Sequence, residues 1–491
     1  MTDTVDGLVR AQAARFRDKP FVVDPMTSMS YTELDTVTGT LATALVNAGI
    51  GKGSRIGLIM PNNVRWVQLA LAITRVGAVL VPLSTLLTTR ELIAQLQTAA
   101  VQYLIAVEDF RGHRYLDDLP ALPALRQVWR SDELRSGTGV SGFGELTETV
   151  VPADPMVVMF TSGSSGAPKG VIHSHGSALG AVRSGLTARC IDADSRLYLP
   201  MPFFWVGGFG GGILSALLAG ATLVTEEIPE PEATLRLLER EKVTLFRGWP
   251  DQAEALGRRA ADVGADLSAL HPGSLDALLP AEHRRAPGVR AKLFGMTESF
   301  GPYCGFRADT DMPRSAWGSC GKPFDGMEVR IVDVDTGDAL PAGTIGMIQI
   351  RGPHTLRGMC RRSREELFTP DGFYPTGDLG HVDDDGFLFY HGRSDDMFKV
   401  SGATVYPSEV EAALREIDGV RAAFVTDVAG RVGAAVVCEG ATTDDLRAAA
   451  RATLSSFKVP TVWLLLDSDD DVPRGATGKV DVHRLRKLLE A

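Results

Sequence analysis

Between Tyr31 and Val107 two kinds of segment take turns, and this alternation restricts the possible folds more than any other property of the chain. The run YTELDTVTGTLATALVNAG carries apolar residues at helical spacing and closes on Gly49, a residue suited to the turn that ends a helix. The short apolar run RIGLIM follows, then the helical VRWVQLALAITRVG, then the strand-like AVLVPL. Helices that alternate with buried strands predict α/β layering. The pattern resumes after Asp154, where MVVMF runs into a glycine- and serine-rich loop, and LFRGW and AKLF read as later short strands. From Val329 to Tyr390, short strands joined by Asp-Gly turns predict a β-rich subdomain. After Gly392 come a helix (PSEVEAALREI), two strands, a helix (TDDLRAAARATL), a strand (TVWLLLD), a glycine-rich loop and a terminal helix. That is roughly a hundred residues, enough for an independent domain. The expected architecture is α/β, with residues 1–392 as a large N-terminal domain of layered α/β subdomains plus the β-rich subdomain. Residues 393–491 form a small α+β C-terminal domain, with the boundary near Arg393 to Asp395.

At 491 residues the chain exceeds what one hydrophobic core supports, which again argues for at least two domains. A formal net charge of −11 with no basic stripe argues against a nucleic-acid footprint and favours small-molecule chemistry. The five cysteines, Cys190, Cys304, Cys320, Cys360 and Cys438, are odd in number, scattered and without C-x-x-C spacing. They support neither a disulfide framework nor a zinc site, and a reduced, cytoplasmic compartment is expected. The N-terminal MTDTVDGLVRAQ has no basic segment followed by an apolar one, and the most apolar stretch, Leu69 to Leu83, is interrupted by Arg75 and Pro82. No membrane span is expected.

Five short segments carry candidate chemistry. Thr161, Ser162, Gly163, Ser164, Ser165, Gly166 and Lys169 belong to TSGSSGAPKG, where backbone N–H groups and hydroxyls after a strand can wrap phosphate oxygens and the lysine adds positive charge. The spacing is not that of a Walker loop, and a surface linker of the same composition is the alternative. Phe294, Gly295, Met296, Thr297 and Glu298 form FGMTE, in which a hydroxyl beside a carboxylate can serve a phosphate and a Mg²⁺, or simply begin a helix. Asp378 of YPTGD is placed to accept from two ribose hydroxyls, or to sit in a solvated turn. GRSDDMFKVSG offers Arg393 for bidentate phosphate contact, an aspartate pair at Asp395 and Asp396, Lys399, and Gly402, which lets backbone approach a ligand; a surface charge cluster is the alternative. PRGATGK puts Lys479 at the tip of a glycine-rich loop, where a solvated lysine is the default.

Taken together and in this order, the five segments resemble the adenylate-forming superfamily, which includes acyl-CoA synthetases, peptide-synthetase adenylation domains and beetle luciferases. TSGSSGAPKG is similar to its phosphate loop, FGMTE to its threonine–glutamate motif, YPTGD to its ribose-binding aspartate, GRSDDMFKVSGATVYPSEVE to its hinge and following loop, and PRGATGK to its C-terminal lysine. GSCGKPFDGMEVRIVD extends the likeness over nearly the whole chain. The resemblance implies a carboxylic acid:CoA ligase that uses ATP, Mg²⁺ and coenzyme A. Such an enzyme converts acid and ATP to acyl-AMP and pyrophosphate, then acyl-AMP and coenzyme A to acyl-CoA and AMP, here on a fatty or related hydrophobic acid. By position it implies that Thr161 to Lys169 hold the departing β- and γ-phosphates, that Thr297 contacts the α-phosphate and that Glu298 holds Mg²⁺. Phe294 packs on adenine in the nucleotide-binding segment that includes Gly295 and Met296; Asp378 binds the ribose, and Arg393 contacts ribose or phosphate. Lys479 bridges carboxylate and α-phosphate in the first half-reaction. The small domain is implied to be mobile about Asp395, which brings Lys399 to Gly402 towards the pantetheine tunnel for the second. A carrier-protein acceptor is the alternative within the family, and a non-catalytic AMP-binding relative the alternative outside enzymes; a homodimer is left open.

Three stretches depart from the family pattern. PFFWVGG places Trp205, followed by Gly207 and Gly208, where such enzymes usually carry a histidine after Pro-x-x. Trp205 is therefore expected as the aromatic gate between acyl pocket and pantetheine tunnel, with a core tryptophan as the alternative. The usual Gly-Gly-Ala-Pro strand appears as GSLDALLP, so Ser274, Leu275 and Asp276 are expected to fill the place beside adenine with bulkier side chains and reshape the acyl pocket. RGMCRRSRE, at 357–365, also differs from the usual Gly-Tyr-x-x-x-Pro-Glu pattern.

Overall fold

The computed structural model describes residues 3–117, 119–134, 143–161, 168–394, 398–400, 403–454, 456–474 and 480–490, with backbone alone at Lys399, Ala403 and Thr404. The chain divides into two compact units, Met1–Glu328 with Arg351–Tyr374, and Val329–Ile350 with Pro375–Ala491.

The first unit realises the predicted alternation. Helix Tyr31–Asn47 starts at Ser30, whose hydroxyl accepts from the Glu33 N–H while the Glu33 carboxylate accepts from the Ser30 N–H, and it buries Leu34, Leu41 and Leu45. Helix Val64–Arg75 is capped by the Asn63 side chain and is buried on nearly every side, which accounts for its apolar composition. Arg75, the charge that interrupts this run, is buried yet paired with Asp6 and with Asp35, each at 2.8 Å. Strands Arg55–Ile59, Val79–Pro82, Tyr103–Ala106, Gln127–Arg130 and Pro155–Thr161 form the parallel part of a seven-stranded sheet. Lys169–Ser174 and Gly358–Met359 extend it antiparallel. A five-stranded sheet runs in the order Leu245–Phe246, Arg196–Tyr198, Thr222–Val224, Pro20–Val23, Ser28–Ser30. One apolar cluster joins Ile56, Leu80 and Met159 of the first sheet to Val22, Leu197 and Leu223 of the second through Trp66 and Leu69 of the helix between them. Each such leucine contributes about 1.5–3 kcal/mol on full burial, so the two sheets share one core. Among the described residues no helix is long and apolar enough to cross a membrane.

Two expected strands are shorter than their apolar runs. LFRGW is a strand only at Leu245–Phe246, because the Arg247 guanidinium turns inward to the Arg189 carbonyl and Pro250 opens helix Pro250–Val263. AKLF joins a ladder only from Phe294, where the chain begins to pair with Gly301–Gly305; Ala291 to Leu293 lie outside any strand.

The second unit holds the β-rich stretch and the small α+β stretch. Glu328–Val332, Gly346–Arg351, Tyr374–Val382 and Leu388–Arg393 form a four-stranded sheet in that order. The boundary expected near Arg393 therefore falls inside this unit, at the end of its last sheet strand. Beyond it, Val420–Val428 and Arg431–Cys438 make an antiparallel hairpin to which Val462–Leu466 adds in parallel. Helices Pro407–Arg415, Thr443–Thr453 and Val482–Glu490 complete this part, and Val410, Leu414, Val436 and Leu446 form its core.

Candidate active site

In the first unit, strands Pro155–Thr161 and Lys169–Ser174 are the two arms of a hairpin, with Thr161 opposite Lys169. Ser162, Gly163, Ser164, Ser165 and Gly166 lie outside the described residues. Thr161 is half-buried and Lys169 exposed. Gly170 is dictated by packing, because a Cβ there would lie 2.9 Å from a Val158 methyl and 3.0 Å from Cys360 Sγ.

FGMTE is a second tight hairpin. Strand Phe294–Met296 passes through a 3-10 turn, Thr297–Ser299, into strand Gly301–Gly305, with Phe300 at φ 51° and Gly301 at φ 110°. The backbones touch at Gly295, where a Cβ would stand 2.1 Å from the Gly301 carbonyl oxygen. Ser299 Oγ accepts from the Met296 N–H at 3.2 Å and donates to the Gly301 carbonyl at 2.7 Å, which closes the turn. Glu298 is buried; its Oε1 accepts from the Tyr374 hydroxyl at 3.3 Å, and its carbonyl accepts from the Leu356 N–H at 2.7 Å. The Phe294 ring meets Tyr303 edge to face at 5.6 Å.

The two hairpins are joined by a residue that sequence reasoning missed. His173, fully buried on strand Lys169–Ser174, has Nε2 2.8 Å from the Thr297 carbonyl oxygen. A carbonyl only accepts, so Nε2 carries the proton. Burial pushes the imidazole pKa down to about 4, the Thr297 bond works against that shift, and nearby Arg357 adds to it, so the ring is neutral at pH 7. Nothing in KGVIHS marks this partner, which lies 124 residues away.

Trp205 caps helical turn Val206–Gly208, and a π-helical segment, Phe209–Leu214, follows. Gly208 is required there, since a Cβ would meet the Pro202 carbonyl oxygen at 2.1 Å; a Cβ at Gly207 would meet Met201 Sδ at 2.7 Å. The buried Asn62 amide holds the approach to this turn by donating to the Met201 carbonyl and accepting from the Phe203 N–H. Trp205 is half-buried rather than a core tryptophan, and it meets Trp249.

Ser274 is buried with its hydroxyl turned to strand Leu245–Phe246, where it accepts from the Phe246 N–H at 3.1 Å and donates to the Thr244 carbonyl at 3.4 Å. Leu275 precedes the 3-10 turn Asp276–Leu278, and Asp276 lies 3.7 Å from Arg290. A separate cleft of about 610 Å³, lined in part by Cys190, Asp192, His271 and Asp309, contains none of the expected site residues.

In the second unit, Asp378 and Arg393 face each other across strands Tyr374–Val382 and Leu388–Arg393, and Arg393 Nη1 lies 3.1 Å from Asp378 Oδ1. The same nitrogen donates to the Thr376 carbonyl at 2.9 Å. Asp378 is buried, and Gly377 between these contacts adopts φ 74°. Asp395, Gly402 and Lys479 lie outside the described residues, as does the side chain of Lys399.

A sequence profile described as AMP-binding enzyme matches residues 9–359. A protein of Mycobacterium tuberculosis named 3-[(3aS,4S,7aS)-7a-methyl-1,5-dioxo-octahydro-1H-inden-4-yl]propanoyl:CoA ligase is 33% identical over 487 residues, covering 93% of each chain. Indoleacetate–CoA ligase of Aromatoleum aromaticum is 30% identical over 490 residues, covering 95% of this chain and 94% of its own. Among solved structures, ATP-bound MatB from Rhodopseudomonas palustris superposes with a TM-score of 0.82 at 23% identity, over 100% of this chain and 99% of that one, a likeness of fold.

Proposed function

This chain belongs to the AMP-binding enzyme family, and from that premise we propose how its own residues carry the two half-reactions of an ATP-dependent, AMP-forming acid:CoA ligase. In the first, a carboxylate oxygen of the acid attacks the α-phosphorus of ATP, the bond to the bridging α–β oxygen breaks, and pyrophosphate leaves. In the second, the thiol sulfur of coenzyme A attacks the acyl carbonyl, AMP leaves, and the thiol proton passes to solvent.

The observation that carries the assignment of roles is the bond between His173 and the Thr297 carbonyl. It fixes the FGMTE turn against the outgoing arm of the glycine- and serine-rich hairpin. Thr297, which we assign to the α-phosphate, is thereby held against the strand that begins at Lys169, which with Thr161 we assign to the departing pyrophosphate. The first step brings an anion to a polyanion, so its barrier is mainly electrostatic and positional, and preorganised donors and cations lower it without a general base. Mg²⁺ usually takes one or two carboxylates together with substrate phosphates and water, and the buried Glu298 carboxylate beside Thr297 suits that donor set. Glu298 would hold the ion, which would supply charge neutralisation on the phosphates. Asp378 and Arg393 hold the ribose, Lys479 bridges carboxylate and α-phosphate, and the C-terminal domain turns about Asp395 between the steps.

The acids in the names of the two relatives support a hydrophobic substrate here. We place the enzyme in the cytoplasm, on its scattered cysteines. Sedimentation distinguishes monomer from homodimer. The test of function is ATP–pyrophosphate exchange over a panel of acids, followed by thioester formation with free coenzyme A. Acid-dependent exchange and thioester are expected. Exchange with no acid would sink the ligase reading, and acyl-AMP that accumulates in the presence of coenzyme A would point to a carrier-protein acceptor.

A further inference from the structure

Trp205 and Trp249 come from separate elements, the start of Val206–Gly208 and the start of helix Pro250–Val263, and meet edge to face with ring centroids 6.1 Å apart and planes at 87°. Neither indole is spent on the core: Trp249 is 37% exposed and Trp205 half-buried. Both backbones are pinned. The Trp205 N–H donates to the Pro202 carbonyl at 3.0 Å, and the Trp205 carbonyl accepts from the Phe209 N–H at 2.8 Å. The Trp249 carbonyl accepts from the Ala253 N–H at 3.1 Å, with Pro250 fixing the first helical residue. Phe204 braces Trp205 edge to face at 5.8 Å.

Residues that follow Trp205 in the chain pack on the FGMTE hairpin. A Val206 methyl lies 3.5 Å from the point a Cβ on Gly301 would occupy, and the Phe300 ring lies 3.0 Å from the same point on Gly210. On the ligase reading the acid reacts beside Thr297, and Trp205 lies on the segment packed against that hairpin. A preset indole face attracts a flat ring by offset stacking or edge contact beyond the area buried, whereas an alkyl chain gains area alone and loses more rotor freedom.

We propose that Trp205 and Trp249 form an aromatic wall of the acyl pocket, and that this wall selects a carboxylic acid bearing an aromatic ring over an unbranched fatty acid. The inference rests on the ligase reading and names its substrate class. The test compares kcat/KM for 3-phenylpropanoate and octanoate in pyrophosphate exchange, in wild type, Trp249→Ala and Trp249→Phe, with circular dichroism to verify folding. Wild type is expected to prefer the ring acid roughly tenfold or more; Trp249→Ala should erase most of that ratio through KM for the ring acid, and Trp249→Phe should keep it. Octanoate preferred by wild type, or equal losses on both acids in a folded Trp249→Ala, would overturn the wall while leaving the ligase intact. Exchange with neither these nor any other acid would overturn the ligase reading itself, and the wall with it.

Discussion

The imidazole of His173 donates from Nε2 to the carbonyl of Thr297 across 2.8 Å, and this bond ties the strand Lys169–Ser174 to the turn that carries Glu298. Leaving a buried hydrogen-bonding group without its partner costs about 1–3 kcal/mol. His173→Leu is expected to lower kcat/KM for ATP about ten- to a hundredfold, with a smaller change in KM for the acid. His173→Gln, whose amide N–H can point at the same carbonyl, should recover part of the loss. A folded His173→Leu with unchanged ATP kinetics would remove the positioning role.

His173 and His175 are both held neutral by burial, with pKa values near 4 against an ordinary 6.5. The unfolded chain takes up protons on both rings as pH falls below 6.5, while the folded chain resists until about pH 4. Their contribution to stability is thus complete above pH 6.5 and lost progressively between 6.5 and 4, by up to about 3 kcal/mol each. The apparent Tm should drop steeply between pH 7 and pH 5, and the drop should shrink in a His173→Gln, His175→Gln double variant. A pH-independent Tm over that window would contradict the assignment.

Gly377 is the turn residue beside Asp378 and Arg393, the pair proposed to hold the ribose. Its φ of 74° strains any L side chain, and a Cβ there would stand 2.7 Å from Arg393 Nη2. Gly377→Ala therefore adds about 1–2 kcal/mol of backbone strain and pushes Arg393 off Asp378 and the Thr376 carbonyl. KM for ATP should rise roughly tenfold while KM for the acid changes little. Equal changes in both would show a general loss of folding instead.

Lys479 is assigned to the first half-reaction alone. Lys479→Ala should abolish acid-dependent pyrophosphate exchange yet still convert supplied acyl-AMP and coenzyme A to thioester, measured by chromatography. Parallel loss of the two steps would refute the division.

How much of this was legible in the sequence depended on whether the signal was local. Helix Tyr31–Asn47 announces itself because its buried leucines recur at helical spacing and Gly49 closes the run two residues past its end. The five motifs are contiguous too, so their order showed the family before any geometry did. His173 was silent, because its partner is a backbone carbonyl 124 residues away and a single histidine in a strand has no pattern. Trp249 was silent for the same reason: it gains meaning only where two elements bring it to Trp205. Ser274 shows a different limit. Its position was visible, but whether a hydroxyl faces a ligand or the neighbouring strand is decided by the Phe246 N–H, which bonds it, and the nearby Thr244 carbonyl. AKLF looked like a strand by composition, yet a ladder needs a partner in register, and Gly301–Gly305 reaches back only as far as Phe294.

Glu298 is buried with the Tyr374 hydroxyl on its Oε1, so its carboxylate is oriented before any ion arrives. Divalent Mg²⁺ favours charged oxygen donors, and the neutral amide of Glu298→Gln keeps the shape while removing the charge. The Mg²⁺ concentration for half-maximal pyrophosphate exchange should rise about tenfold or more in Glu298→Gln, with kcat reduced even at saturating metal. Tyr374→Phe removes only the orienting donor and should shift the same midpoint by a smaller factor, about two- to tenfold. If Glu298→Gln left the Mg²⁺ midpoint in place and lowered activity uniformly, the carboxylate would be a structural acceptor for Tyr374 and the metal would be held by other oxygens.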